Sequence, residues 1–128
     1  MFVLRTATVL MVVCPISDET RNLISTKELA QMRQSAVIIN VGRGGVVNEE
    51  ALAEALQSRQ IAGAASDVFV KEPAGVDESP LLRLPQDVNF IASPHVAWCS
   101  ELTMSNTYKA LEDNVNDYMK GQPQNVVV

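Results

Sequence analysis

The sequence predicts an α/β fold in which a parallel β-sheet is covered by helices. Three observations predict it. Short apolar runs alternate with amphipathic helical patterns along the chain. The runs are apolar at successive positions, so both faces of each strand are expected to be buried. Arg43, Asp67 and His95 each fall a few residues after a run ends, and ligands of parallel sheets bind beyond the carboxyl ends of the strands.

The first strand is Thr8-Val9-Leu10-Met11-Val12-Val13, where β-branched residues dominate and Pro15 stops the run. A polar turn, Ser17 to Thr20, follows it. Ser25 and Glu28 then form a capping box, and Ile24 can staple onto Leu29 across the first turn of a short helix. Ala36-Val37-Ile38-Ile39 is the second strand, broken by Gly42, Gly44 and Gly45. Asn48 caps the next helix, with Glu49 and Glu50 in the first turn, where the helix dipole favours acids. Ile61 to Ala65 is a small-residue third strand, a Pro-rich loop runs from Pro73 to Pro85, and Val88 to Ile91 is the last strand. Ser100 caps a final helix on which Met104, Tyr108, Leu111, Val115 and Tyr118 recur at helical spacing as a core or interface stripe, before Gly121 and Pro123 end it.

Composition bounds the function. The chain has 128 residues, 47% hydrophobic and 20% charged, ordinary for one globular domain or part of one. A net charge of −5 and a pI near 4.8 argue against nucleic acid, because phosphate binding needs clustered Lys and Arg. Arg43-Gly44-Gly45 is a single RGG between apolar segments and reads as a tight turn. The N-terminal apolar stretch is far short of the roughly 20 residues that span a bilayer, which argues against a membrane partner. It also lacks the early charge and small-residue cleavage site of a signal peptide. Cys14 and Cys99 show neither C-x-x-C nor zinc spacing, which predicts structural thiols in a reducing, cytoplasmic compartment and no metal site.

Chemistry concentrates in four short pieces: Asn40 to Gly45, Asp67-Val68-Phe69, Glu72-Pro73 and Pro94-His95. Arginine offers a planar fork for a carboxylate. Histidine titrates near neutrality and can carry a proton, and a carboxylate can orient it. Singly, these residues have plainer readings: Arg43 as a solvated loop cation, Glu72 as a surface acid, His95 as a buried satisfied histidine, Asp67 as a turn cap, Trp98 as packing. Their order and their common place at strand ends make them a kit for moving a hydride onto a 2-keto acid. No G-x-G-x-x-G loop accompanies them, so the usual pyrophosphate cradle of a nicotinamide enzyme is missing from the sequence.

Together with the run Cys14 to Ile24 and Ser93-Pro94-His95, these pieces resemble the D-isomer-specific 2-hydroxyacid dehydrogenases, from about Ala7 to the end of the chain. His95-Val96-Ala97-Trp98 and Gly121 to Val126 resemble the glycerate dehydrogenase/hydroxypyruvate reductase branch in particular. The resemblance implies a truncated domain: residues 7–96 as the second half of a Rossmann-like, doubly wound parallel sheet, and residues 97–128 as a C-terminal crossover helix and tail. In strand order 3-2-1-4-5-6 the strand at Thr8 to Val13 corresponds to the fourth and pairs with an absent first.

It also implies roles. Arg43 binds the substrate carboxylate and polarises the keto oxygen. His95 gives that oxygen a proton, and Glu72 hydrogen-bonds the far imidazole nitrogen. Asp67 accepts a hydrogen bond from the nicotinamide carboxamide. Val41, Gly42 and Ala97, with Arg43, His95 and Trp98 beside them, face the nicotinamide end. Cys14, Pro15 and Thr20 line the adenosine side. The cofactor implied is NAD or NADP, with NAD favoured, the substrate is a small 2-keto or 2-hydroxy acid, and the complete enzyme is a homodimer. Activity is not expected of the truncated chain alone. A reading from another class is a non-catalytic dimerisation module or a truncated partner of a full-length relative.

Overall fold

A computed structural model describes residues 2–127. They form two compact units, one ending at Val96 and the other beginning at Ala97. In the first unit four strands, β1 (Val9–Val12), β2 (Val37–Asn40), β3 (Gly63–Ser66) and β4 (Phe90–Ala92), lie side by side in chain order, all parallel. A six-stranded sheet of the expected order has only three strands from the fourth onward. Here there are four, so the half-sheet extends one strand further than that order allows.

The register defines two faces. Leu10, Ile38, Ala64 and Phe90 lie opposite one another in one row, and Met11, Ile39, Ala65 and Ile91 in the next. Because side chains alternate along a strand, these rows point to opposite sides. Ile38 and Ala64 join Val12 in the core with Leu29 of α2 (Thr26–Leu29) and Leu52 and Leu56 of α3 (Glu49–Gln57). On the other face Val9, Met11 and Ile91 remain more than half exposed. The expectation that helices cover both faces therefore holds on one side only. Apolar residues on both faces declare that each is to be buried, but they do not say by what.

The helix signals behave as their chemistry demands. Asn48 accepts from the Ala51 amide at 2.9 Å and caps α3. Glu28 reaches back to the Ser25 amide at 3.2 Å, the reverse half of a capping box, and Ile24 and Leu29 are both buried.

Three features depart from the sequence reading. A single helical turn, α1 (Phe2–Thr6), precedes β1 and plants Leu4 in the core at 1% exposure. One buried residue in five has no periodicity to betray it. Within the Pro-rich loop a 3₁₀ helix spans Pro80–Arg83, with Ser79 as its cap and Leu81 buried. The third and fourth strands begin two residues later than expected, at Gly63 and Phe90, because Ile61 and Val88 are used in packing before the strand ladder starts.

The second unit holds α4 (Glu101–Met119), capped by Ser100 accepting from Thr103 and ended at Gly121, whose φ is +73°. None of its residues is buried, so the Met104 to Tyr118 stripe is not a core in this chain. Trp98 and Cys99 are exposed as well, so neither is a buried core residue. Among the described residues no helix is long and apolar enough to cross a membrane, and no group of three or more His, Cys, Asp or Glu side chains is placed to hold a metal ion.

Candidate active site

The first unit brings its chemistry to one end of the sheet. The loops after β1, β2, β3 and β4 carry Cys14 and Pro15, Val41 to Arg43, Asp67 to Glu72, and Ser93 to His95. In a parallel sheet with neighbours in chain order these are adjacent carboxyl ends, where ligands bind.

The turn after β2 is built around a buried amide. Asn40, 4% exposed, accepts from the Gly42 amide at 3.1 Å and donates to the Arg43 carbonyl at 3.1 Å. Both ends of the side chain are used, so the turn is fixed from inside. Gly42 is required by space: a Cβ there would come within 2.8 Å of the Cys14 carbonyl. Arg43 leaves this turn exposed, with Nη1 donating to the Gly42 carbonyl at 2.8 Å.

Asp67, 3% exposed, fastens the loop after β4. Its Oδ1 accepts from Ser93 Oγ at 2.6 Å and from the Val96 amide at 2.9 Å, and its carbonyl accepts from the His95 amide at 2.8 Å. His95 sits between these anchors with φ +56°. A non-glycine residue in the left-handed region is held there by its surroundings, and here Asp67 grips the chain at the residue and just after it.

The imidazole so placed meets Glu72. Glu72 Oε2 lies 2.7 Å from His95 Nδ1, while Oε1 accepts from the Phe69 amide at 2.8 Å. The two side chains are about one-third exposed, close to solvent yet geometrically defined. The bond from His95, then the Phe69 amide, holds the Glu72 carboxyl below its ordinary range. An ionised Glu72 can only accept, so the neutral imidazole must carry its proton on Nδ1 to keep this bond. Beside the pair is a cleft of about 340 Å³, lined on its apolar side by Phe69, Pro73 and Leu82.

Of the site residues named from the sequence, the structure unites Glu72, His95 and Asp67 in one bonded network and sets Arg43, Val41 and Gly42 at the next strand end. Cys14 is half-buried behind Gly42. The Thr20 hydroxyl is spent within its own loop, accepting from the Ser17 amide at 2.7 Å and donating to the Pro15 carbonyl at 2.8 Å. Ala97 and Trp98 belong to the second unit. Two residues not singled out from the sequence as site residues hold this framework, Asn40 and Ser93. Asn40 was visible as the head of the glycine turn; Ser93 meets Asp67 across a distance along the chain that no local pattern marks.

A parallel α/β half-sheet with a histidine–carboxylate pair, an arginine turn and a buried aspartate at its carboxyl edge defines a class: the nucleotide-binding part of a dehydrogenase. Residues 2–97 match the family described as "D-isomer specific 2-hydroxyacid dehydrogenase, NAD binding domain", and the chain belongs to that family. It is 41% identical over 113 residues to a glycerate dehydrogenase of Methylorubrum extorquens, covering 88% of this chain and 35% of the relative. It is 44% identical over 113 residues to a glyoxylate/hydroxypyruvate reductase B of Pectobacterium carotovorum, covering 88% and 34%. Among solved structures, a D-lactate dehydrogenase with NAD+ from Lactobacillus jensenii superposes with a TM-score of 0.83 at 27% identity, covering 99% of this chain and 41% of that one. The chain thus spans about a third of the length of the curated relatives it matches.

Proposed function

We propose that this chain supplies the acid/base and carboxylate-binding half of an NAD(P)-dependent 2-hydroxyacid dehydrogenase acting on hydroxypyruvate or glyoxylate. The observation that carries the reading is the 2.7 Å His95–Glu72 pair at the strand ends that also bear Arg43 and Asp67. Arg43 presents a fork of donors that grips the substrate carboxylate and draws electron density from the adjacent keto oxygen. His95, its Nδ1 tied to Glu72, delivers a proton from Nε2 to that oxygen as it gains negative charge, and takes it back in the reverse direction. Glu72 stabilises the imidazolium that holds this proton before it is delivered and after it is taken back.

The residues present fit the nicotinamide end of a cofactor. Asp67 is a buried acceptor suited to a carboxamide N–H, and Val41, Gly42 and the exposed Val13 and Pro15 offer backbone and apolar surface to flat rings. When bound, the nicotinamide supplies the hydride. NAD is the favoured form, in keeping with the description of the matching family as an NAD binding domain. In this reading residues 7–96 complete a doubly wound sheet, and residues 97–128 cross back toward a preceding domain.

The test supplies the rest of the enzyme. Joined to the N-terminal portion of a relative, the chain should reduce small 2-keto acids, and Arg43→Ala should remove most of that turnover. A loss under about twofold, roughly 0.4 kcal/mol in the barrier, would sink the role of Arg43.

A second reading, association between copies, is favoured by α4. Tyr108, Leu111, Val115 and Tyr118 are all exposed there at spacings that share a helix face, as a homodimer interface requires. Light scattering across micromolar concentrations decides it, since a strictly monomeric chain excludes a self-complementary stripe.

A further inference from the structure

The loop that delivers Glu72 is held from outside by a carboxylate with no part in the proposed proton transfer. Glu49, the first residue of α3, accepts from the Val70 amide through Oε1 at 2.7 Å and from Ser79 Oγ through Oε2 at 2.6 Å. Positions 70 and 79 bracket the segment that contains Glu72. Consecutive amides therefore diverge, Phe69 N–H to Glu72 and Val70 N–H to Glu49. The carbonyl side of the same Phe69–Val70 peptide lies so close to Gly44 that a Cβ there would collide with it. One peptide unit is thus gripped by the turn that carries Arg43 and by the helix that follows that turn.

We infer that Glu49 is a positioning residue: it sets Glu72, and through Glu72 the His95 imidazole, relative to the Arg43 turn. The inference rests on the acid/base reading of the His95–Glu72 pair and adds to it a residue that touches neither substrate nor cofactor. The geometry makes reach the property that matters. Glutamine keeps the length, accepting from Val70 with its oxygen while its amide donates to the Ser79 hydroxyl, which can turn to accept. Aspartate keeps the charge in the first helical turn but is one methylene, about 1.5 Å, too short to hold both partners.

His95 is the only histidine in the sequence, so its ring nitrogens can be read without assignment in the 128-residue chain labelled with ¹⁵N-histidine, at a pH where the imidazole is neutral. The Nδ1–H tautomer should predominate in the wild type and in Glu49→Gln. In Glu49→Asp and Glu49→Ala the Nδ1–H fraction should fall at least twofold, and in Glu50→Ala, which removes the neighbouring first-turn acid, it should not move. Should Glu49→Ala fail to fold by circular dichroism, Glu49→Asp carries the comparison. A folded Glu49→Asp with the wild-type tautomer ratio overturns the inference. So does the reverse pattern, Gln disturbing and Asp preserving, because charge at the helix start would then be the cause. A wild type without the Nδ1–H tautomer would instead overturn the acid/base reading beneath it.

Discussion

Replacing Gly44 by alanine should cost this chain more stability than replacing any glycine it holds in a left-handed turn. The reason is space, not conformation. A Cβ on Gly44 would collide with the Phe69 carbonyl and come within 2.7 Å of the Val70 nitrogen, about 0.7 Å inside ordinary contact. Both obstacles are backbone, and each belongs to a residue whose amide is tied to a carboxylate, Phe69 to Glu72 and Val70 to Glu49. Overpacking typically costs about 1–3 kcal/mol. With no flexible side chain able to give way, we expect about 3 kcal/mol, roughly a hundredfold in the folding equilibrium. Gly45 is the internal comparison. Its φ is +82°, but the nearest atom to an added Cβ is a side-chain carbon at 3.6 Å, so Gly45→Ala should cost only the left-handed strain of about 1–2 kcal/mol. Urea unfolding of the two variants beside the wild type gives both numbers. If Gly44→Ala is less damaging than Gly45→Ala, the two loops are not keyed together as described.

Three further outcomes are expected. Asn40→Ala leaves the buried Gly42 amide without its acceptor and removes the bond to the Arg43 carbonyl, and should cost about 1–3 kcal/mol by denaturant unfolding; a loss under about 0.5 kcal/mol would mean that the turn holds itself. The Glu72 carboxyl is held low by His95 and the Phe69 amide, so its contribution is present above the usual carboxylate value and is lost as pH falls through its lowered one. The melting temperatures of wild type and Glu72→Gln should therefore differ at neutral pH and draw together as pH falls from the ordinary carboxylate value through the lowered one, and a gap that stays constant in acid would refute the pairing. Isothermal titration of the chain with NADH should show binding weaker than micromolar, because the sequence contains no glycine-rich loop to meet the pyrophosphate; tight binding would show the half-sheet to be sufficient.

Much of this molecule was legible in its sequence. Asn48 and Ser100 announced their helices because a cap acts over three residues, and the four strands showed as apolar runs broken by Pro and Gly. Glu72 and His95 were picked out together through their order and the family they resemble, and the fold brings them within 2.7 Å across 23 residues. What was not legible acts at long range. Glu49 looked like one of two equivalent first-turn acids, yet only it meets Val70 and Ser79, 21 and 30 residues away. Asp67 read as a cofactor contact, while the backbone it holds at His95 and Val96 could be seen only once the loops were folded together. Coverage of the sheet was half right, because hydropathy records that a face is apolar and not whether this chain can bury it.

That half-covered sheet shapes how the protein unfolds. Heat-capacity change and denaturant sensitivity both scale with the area newly exposed when structure is lost. Val9, Met11 and Ile91 already meet water in the folded state and contribute little to either. The chain should therefore have a shallow denaturation slope and a flat temperature dependence for its length. Whatever comes to lie on that face will steepen both, so that calorimetry can register its arrival even where no spectrum changes.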